Sequence, residues 1–219
     1  MLDVDRSAVH ARSETSWWFF VVVAVLGLVW SGIQPHDQAT WALEVFPVVI
    51  AIPLLYFTRK SLPLTPLLYL LIAVHAAILM LGGHYTYALV PAGDWVREWL
   101  DLARNPYDRL GHFAQGFVPA MIAREILLRK TPLLRGGWLF FIVTSICMAV
   151  SVCYEFLEWW TAVIIGGKAD DFLGTQGDVW DTQWDMFLAT CGAIIAQILL
   201  AHIHDRQLAT KTAGADGAR

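Results

Sequence analysis

An all-α polytopic bundle of helices that crosses a lipid bilayer is predicted by the composition, the apolar segment lengths and the charge distribution of the chain. Hydrophobic residues make up 57% of the 219 residues, and charged residues only 16%. A soluble domain of this size needs more polar surface than such a composition can cover, so the lipid bilayer is the expected partner. The net charge of −4, without a basic block, argues against nucleic-acid binding.

Six segments have the roughly 20 mostly apolar residues that a membrane-spanning helix requires. These transmembrane helices are predicted at about 17–33, 41–57, 64–83, 107–128, 138–162 and 185–204. The chain then divides into an N-terminal segment, 1–16, a six-helix transmembrane domain, 17–205, and a C-terminal tail, 206–219, that is expected to be disordered. No small-residue cleavage site follows the first apolar run, so we do not expect a cleaved signal peptide.

Basic residues orient the predicted helices, because Lys and Arg concentrate in cytoplasmic loops. A cytoplasmic N-terminus places 11 of the 15 Lys and Arg residues inside and four outside. The four outer residues are Arg97, Arg104, Arg109 and Lys168. We therefore predict that both termini are cytoplasmic. The outer segment "DWVREWLDLAR" has its tryptophans on one helical face, which is typical of a short helix lying on the membrane surface.

Histidines and acidic residues collect on the predicted outer side. They come from the end of the third helix ("GGHYTY"), the start of the fourth ("RNPYDRLGHF"), the end of the fifth ("YEFLEWW") and the start of the sixth ("DVWDTQWD"). The residues concerned are His84, Asp108, His112, Glu155, Glu158, Asp178, Asp181 and Asp185. On the inner side only scattered Arg and Lys are expected, and His204 is assigned no role.

Some of these acids have an alternative role as helix caps. Asn105 is a predicted N-cap with Pro106 in the first turn and Asp108 at the third position, where a carboxylate stabilises the helix N-terminus. Asp178 and Asp181 have the same arrangement before the sixth helix. Capping alone accounts for these acids as well as a functional site does.

Glu155 and His112 are harder to explain as structural residues. Glu155 lies roughly 26 Å along a helix that crosses a core about 30 Å thick, where an unpaired carboxylate is costly. Glu158 follows at i+3 on the same face. His112 stands four residues after Asp108, so the two side chains lie side by side as a chelating pair requires, and Asp185 stands four residues after Asp181.

So many acids need charge compensation, and three sources are open: Arg104, Arg109 and Lys168, a bound divalent cation, or protonation. A mixed Asp, Glu and His shell suits one zinc, manganese or magnesium ion. The predicted metal ligands are His84, Asp108, His112, Glu155, Asp178 and Asp185. Glu158 and Asp181 are the predicted catalytic residues, as the base or as supports of the ligands.

Several long strings of the chain carry a family resemblance. Examples are "LTPLLYLLIAVHAAILMLGGHYTYALVP", "RNPYDRLGHFAQGFVPAMIAREILLR" and "FLGTQGDVWDTQWDMF". In these strings the chain resembles the YjdF-like family of bacterial inner-membrane proteins. The resemblance implies a multi-pass protein of the bacterial inner (cytoplasmic) membrane and implies no particular reaction.

The chain is also similar to the VanZ-like membrane proteins, which are linked to glycopeptide-antibiotic resistance. Their pattern is Asp-Lys-x-x-His-Phe, then a Glu on a later helix, then Asp-x-x-x-Asn. The counterparts here are Asp108, His112 and Phe113, then Glu155, then Asp181 with Asp185. Arg109 replaces the lysine and Asp185 the asparagine, so the antibiotic phenotype is not transferred to this chain.

Three functions remain open from the sequence. The first is a metal-dependent membrane enzyme with an outward-facing site for an envelope or lipid-linked substrate. The second is a non-catalytic envelope factor whose acids hold a structural cation. The third is a proton- or ion-coupled transporter, against which stands the lack of broken helix pairs and of internal repeats.

Overall fold

The computed structural model describes residues 21–165 and 175–216. These residues form seven α-helices and one 3-10 turn, joined by loops. The helices are α1 (Val21–Ser31), α2 (Gln38–Thr58), α3 (Pro66–Tyr85), α4 (Pro91–Leu100), α5 (Tyr107–Lys130), α6 (Gly137–Ile165) and α7 (Asp181–Asp216). The 3-10 turn, Tyr87–Leu89, connects α3 to α4. These residues contain no strand, which confirms the predicted all-α class. The predictions for residues 1–20, for Lys168 and for 217–219 lie outside the described residues.

Four of these helices are long and apolar enough to cross a membrane. They are Gln38–Thr58, Pro66–Tyr85, Gly137–Ile164 and Asp181–Thr210. Within the described residues α1 is shorter than a span, and α5 carries charged side chains in its first and last turns. A multi-span helical membrane protein is therefore confirmed, whereas six crossings and cytoplasmic termini stay predictions.

Local sequence sets where the helices begin. Asp37 is the N-cap of α2, and its Oδ1 accepts a hydrogen bond from the backbone N–H of Thr40 at 2.7 Å. Pro66 occupies the first turn of α3, where the missing N–H costs nothing. Asn105 was predicted as the N-cap of α5, but Pro106 occupies that position and Asn105 precedes it. Its Oδ1 accepts from the N–H of Tyr107 at 3.0 Å, and its amide donates to the carbonyl of Val90 at 3.0 Å.

The α5–α7 pair forms the centre of the bundle, and small residues allow the two backbones to touch. A Cβ added to Gly116 of α5 would lie 1.7 Å from the carbonyl oxygen of Ala189 in α7. A Cβ added to Gly192 of α7 would lie 2.1 Å from the carbonyl oxygen of Phe113 in α5. Small residues at such contacts are typical of helix pairs in membranes. This contact places the first turns of α5 and α7 directly beside each other.

The start and the end of α7 differ from the prediction. The helix begins at Asp181, and Asp178 lies in the turn before it, where its Oδ1 accepts from the N–H of Trp180 at 3.0 Å. At the other end α7 continues to Asp216, while the division of the chain into a membrane domain and a tail from 206 stays a prediction. The long helix extends beyond its predicted apolar end at 204, because 206–216 contain no proline and only one glycine, Gly214.

The predicted surface helix is present as α4. Its tryptophans are among the most exposed apolar side chains of the described residues, with Trp95 71% and Trp99 83% exposed. Arg97 and Asp94 form an ion pair at 3.1 Å on the same short helix. A helix with exposed tryptophans and a charged flank is suited to the membrane–water interface.

A second buried polar cluster lies near the C-terminal end of α5, where the sequence predicted only scattered basic side chains. Both Glu125 and His204 are fully buried. Oε2 of Glu125 accepts from Thr65 Oγ1 at 2.8 Å and pairs with His204 Nε2 at 2.9 Å, while Oε1 accepts from Arg129 at 2.7 Å. Arg124 donates to His204 Nδ1 at 2.8 Å, so His204 carries its proton on Nε2. The assignment of no role to His204 is therefore corrected: it joins α5 to α7.

Candidate functional site

His112 is the centre of the acidic cluster. Its Nε2 lies 3.5 Å from Oδ1 of Asp108 and 3.8 Å from Oδ2 of Asp185, and its Nδ1 lies 3.9 Å from Oε1 of Glu155. The first pair follows from the i, i+4 spacing on α5, and the other two acids come from α6 and α7. All four side chains are buried. The convergence expected from the sequence is thus present for these four residues.

The cluster contains carboxylate oxygens without hydrogen-bond partners among the described residues. They are both oxygens of Glu155 and Oδ1 of Asp185, on residues that are only 6% and 1% exposed. The side chain of Thr182 interacts with Glu155 but does not reach it with the geometry of a hydrogen bond. Buried polar atoms are nearly always paired, so unpaired oxygens mark a place where a proton, water or cation binds. These oxygens face a histidine that is itself surrounded by acids.

Two sets of side chains lie close enough together to be candidate metal ligands. In Asp108, His112 and Asp185, and again in His112, Glu155 and Glu158, one ligand atom of each residue lies within 4.8 Å of the others. His112 belongs to both sets. Its Nδ1 lies 3.0 Å from Oε1 of Gln115, so a proton on Nδ1 is held by Gln115. In that tautomer Nε2 has a free lone pair and lies 3.5 Å from Oδ1 of Asp108 and 3.8 Å from Oδ2 of Asp185; in metal-bound histidines the other ring N–H is held by a second partner in the same way.

Arginines neutralise part of the cluster at its edge. Arg104 is buried; it forms a hydrogen-bonded ion pair with Asp181 and contacts Asp108 at 3.1 Å and Asp178 at 3.6 Å. Burial disfavours the charged guanidinium of Arg104, but the hydrogen bond and the charge of Asp181 outweigh this effect and raise its pKa. Arg109 contacts Asp178 at 3.1 Å.

Two predicted residues therefore have arginine partners. Asp178 and Asp181 belong to neither metal-spaced set within residues 21–165 and 175–216. Asp178 anchors the turn before α7 to Arg104 and Arg109, and its role as a metal ligand stays a prediction. Asp181 orients Arg104 beside Asp108.

His84 does not join the cluster. Its Nδ1 lies 3.1 Å from the carbonyl oxygen of Ser31, and its ring stacks on Trp30 with ring centroids 4.7 Å apart. The end of α3 therefore turns this side chain toward the end of α1 and away from α5. His84 belongs to neither metal-spaced set among the described residues, because closeness to one end of the bundle does not determine which neighbour a side chain faces. Its role as a metal ligand stays a prediction.

A cavity of about 230 Å³ lies beside His112. Its wall includes Asp108 and Glu158 together with three polar residues that the sequence reasoning did not single out, Glu44, Tyr87 and Tyr154. Glu44 is buried in α2, and its Oε2 has no hydrogen-bond partner among the described residues. An acid six residues into an apolar helix was the signal that could have identified it.

The tyrosines form the neutral part of this wall. The ring of Tyr154 meets the ring of His112 edge to face, with centroids 6.3 Å apart. Tyr87, in the 3-10 turn, contacts Tyr107 with ring centroids 5.6 Å apart. Burial, followed by the charge of Glu44, raises the pKa of Tyr87 well above its ordinary value. Tyr87 therefore stays a neutral phenol that can donate a hydrogen bond into the cavity.

The helices and the buried cluster together define a multi-span membrane protein with an acid-rich polar site. Residues 16–206 match the family described as "Predicted membrane protein (DUF2238)". The chain belongs to this family. It is 56% identical over 181 residues to the inner membrane protein YjdF of Escherichia coli K12. The aligned region covers 83% of this chain and 87% of the relative. No solved structure matches the chain.

These matches confirm the resemblance to YjdF-like proteins and the predicted location in the bacterial inner membrane. They carry no information on a reaction. The similarity to VanZ-like proteins stays a prediction. Of the residues that carry it, Asp108, Glu155 and Asp185 lie around the imidazole of His112, whereas Asp181 pairs with Arg104.

Proposed function

We propose that this protein is a metal-dependent membrane enzyme with its site at the outer face of the inner membrane, acting on an envelope or lipid-linked substrate. The observation that carries the proposal is the meeting of Asp108, His112 and Asp185, with ligand atoms within 4.8 Å of one another, beside the unpaired oxygens of Glu155. A single ion with ligand distances of about 2.0–2.2 Å bridges atoms separated by up to roughly 4.4 Å. The distances of 3.5 and 3.8 Å from His112 Nε2 to Asp108 and Asp185 lie within this limit.

Charge favours a cation here. Arg104 and Arg109 compensate Asp178 and Asp181, whereas Asp185 and Glu155 keep unpaired oxygens among the described residues. Bringing such acids together as anions requires a counter-charge, and a divalent ion supplies it most completely. One imidazole with several carboxylates suits zinc, manganese or magnesium, the last being the least suited to a histidine ligand.

The cavity next to the ligands favours catalysis over a purely structural ion. A metal in this position would lower the pKa of bound water and polarise an ester or phosphoryl oxygen. In hydrolysis the water oxygen bonds to the acyl or phosphoryl atom, its proton passes to a base, and the alcohol leaves with a proton. Glu158 suits the base because it lines the cavity. Asp181 suits a supporting role because it is bonded to Arg104.

The orientation belongs to the same proposal. Six crossings with both termini in the cytoplasm put the first turns of α5 and α7 on the outer side, following the positions of the basic residues. The site then lies at the level of the outer lipid head groups. Lipid-linked molecules of the cell envelope present their polar bonds at that depth.

Metal-dependent stability tests the binding step. Protein stripped with a chelator should melt at a higher temperature as zinc or manganese is added, with a saturable gain of about 2.7 kcal/mol at a concentration 100 times Kd. His112→Gln and Asp185→Asn should lose this response. The exposed residues His202 and Glu98 supply matched controls, and His202→Gln and Glu98→Gln should respond like the wild type.

Turnover tests the catalytic step. Metal-loaded protein in liposomes made from bacterial lipid extract should generate new products detectable by mass spectrometry. Glu158→Gln should retain its metal response and lose about 100-fold or more in rate, as expected for a general base. A wild-type protein that binds no divalent ion refutes the proposal. Metal binding without any turnover would instead favour the non-catalytic factor with a structural cation.

A further inference from the structure

A second cavity of about 290 Å³ lies between α1, α2, α3 and α5. Its described lining residues are almost all apolar; Tyr69 and His75 are the exceptions. Leu54, which lines it, is 59% exposed on the outer surface of the bundle, so the cavity reaches the lipid-facing side. Water needs two to four polar partners to occupy a cavity stably, and this wall offers few.

The apolar cavity adjoins the acidic one. Pro47, His75, Leu79 and Pro119 line both cavities. On one side of these shared residues the wall carries Glu44, Asp108 and Glu158, and on the other side it carries aliphatic side chains. The combined volume falls in the range of about 300–1,000 Å³ that is usual for ligand sites.

The length of the apolar part matches one leaflet of a bilayer. Along α3 it extends from Leu79 to Tyr69, which corresponds to about 15 Å at the rise of an α-helix. This is half of the roughly 30 Å hydrocarbon core. A single hydrocarbon chain of one leaflet has this length, and the aliphatic wall suits it.

We propose that the joined cavities bind one lipid molecule, with a hydrocarbon chain between α2 and α3 and the polar head group beside Asp108, His112 and Glu158. This inference rests on the proposed function and names its substrate class: an amphiphile with at least one long chain. The chain fixes the depth of the molecule in the bundle, so the bond next to the head group is presented to the acidic site.

Photo-crosslinking tests this inference. The probe is a phosphatidylglycerol with a diazirine midway along one acyl chain, added to the full-length protein in nanodiscs. The label should favour Ile72, which lines the cavity, over Leu70, which is exposed on the same helix and does not line it. Ala51→Leu with Ala73→Leu fills the cavity, and the ratio of Ile72 to Leu70 labelling should fall about tenfold, the effect of excluding about two methylene groups.

Ala149→Leu is the matched control, because Ala149 is exposed on α6 and lines neither cavity. It should leave the labelling ratio unchanged. The metal response is measured in the same samples, and the filled variant should retain it, which also shows that this variant is folded. Labelling that is equal at Ile72 and Leu70, or unchanged by filling, overturns the lipid inference while a normal metal response leaves the proposed function standing. A wild-type protein that shows no metal response refutes the proposed function instead.

Discussion

Replacing Gly116 by alanine should separate α5 from α7 and disable the site without touching any polar residue. The added Cβ would lie 1.7 Å from the carbonyl oxygen of Ala189, whereas real contacts are not shorter than 3.0 Å. The backbones must therefore move apart by roughly an ångström. The distance of 3.8 Å between His112 Nε2 and Asp185 Oδ2 would then grow to nearly 5 Å, beyond the roughly 4.4 Å that one ion bridges.

Stability should fall in the same variant. Overpacking of this kind costs about 1–3 kcal/mol, offset in part by the gain of about 0.5–1 kcal/mol when alanine replaces glycine in a helix. Thermal unfolding in detergent measures the net loss, and metal titration measures the loss of binding. Gly137→Ala is the control, since its Cβ would have nothing within 4 Å. A Gly116→Ala protein with unchanged melting and unchanged metal response would refute the close α5–α7 contact.

Two further predictions concern the framework of the bundle. Asp37→Ala should cost about 1 kcal/mol, because the N-cap bond to Thr40 is lost. That bond lowers the pKa of the Asp37 carboxyl below its ordinary value of 3.8. The stabilisation is therefore present above pH 3.8 and is lost as the pH falls through the lower pKa of the folded state. The melting temperatures of wild type and variant should converge at acid pH. His204→Leu should cost about 3 kcal/mol, since Glu125 loses a buried partner, and metal binding should persist; loss of metal binding with unchanged stability would contradict the structural role of His204.

The helices and the core of the site could be predicted from the sequence for simple physical reasons. Apolar segments of fixed length must become helices in a bilayer, because backbone groups there have no other partners. Asp108 and His112 lie side by side because of their i, i+4 spacing. The acids late in α6 and early in α7 reach the same end of the bundle. That reasoning correctly joined four of the predicted ligands.

Other features depend on how each helix is rotated about its axis and on which helices it contacts. The spacing of residues within one helix determines neither. His84 reaches the right end of the bundle but faces Trp30. Asp178 is paired with arginines, since the turn before α7 brings it beside Arg109. Glu44 was overlooked because a lone acid has no periodic pattern, and only the packing of α2 against α3 shows that it faces the cavity.

The composition and environment of the metal centre provide the sharpest test. Protein purified without chelators is analysed for metal per chain and by X-ray absorption at the edge of the metal found. We predict one divalent ion per chain, bound by oxygen ligands and a single imidazole at about 2.0–2.2 Å, with the imidazole signal lost in His112→Gln. A protein without metal, or a spectrum that is the same in His112→Gln, would contradict the proposed centre.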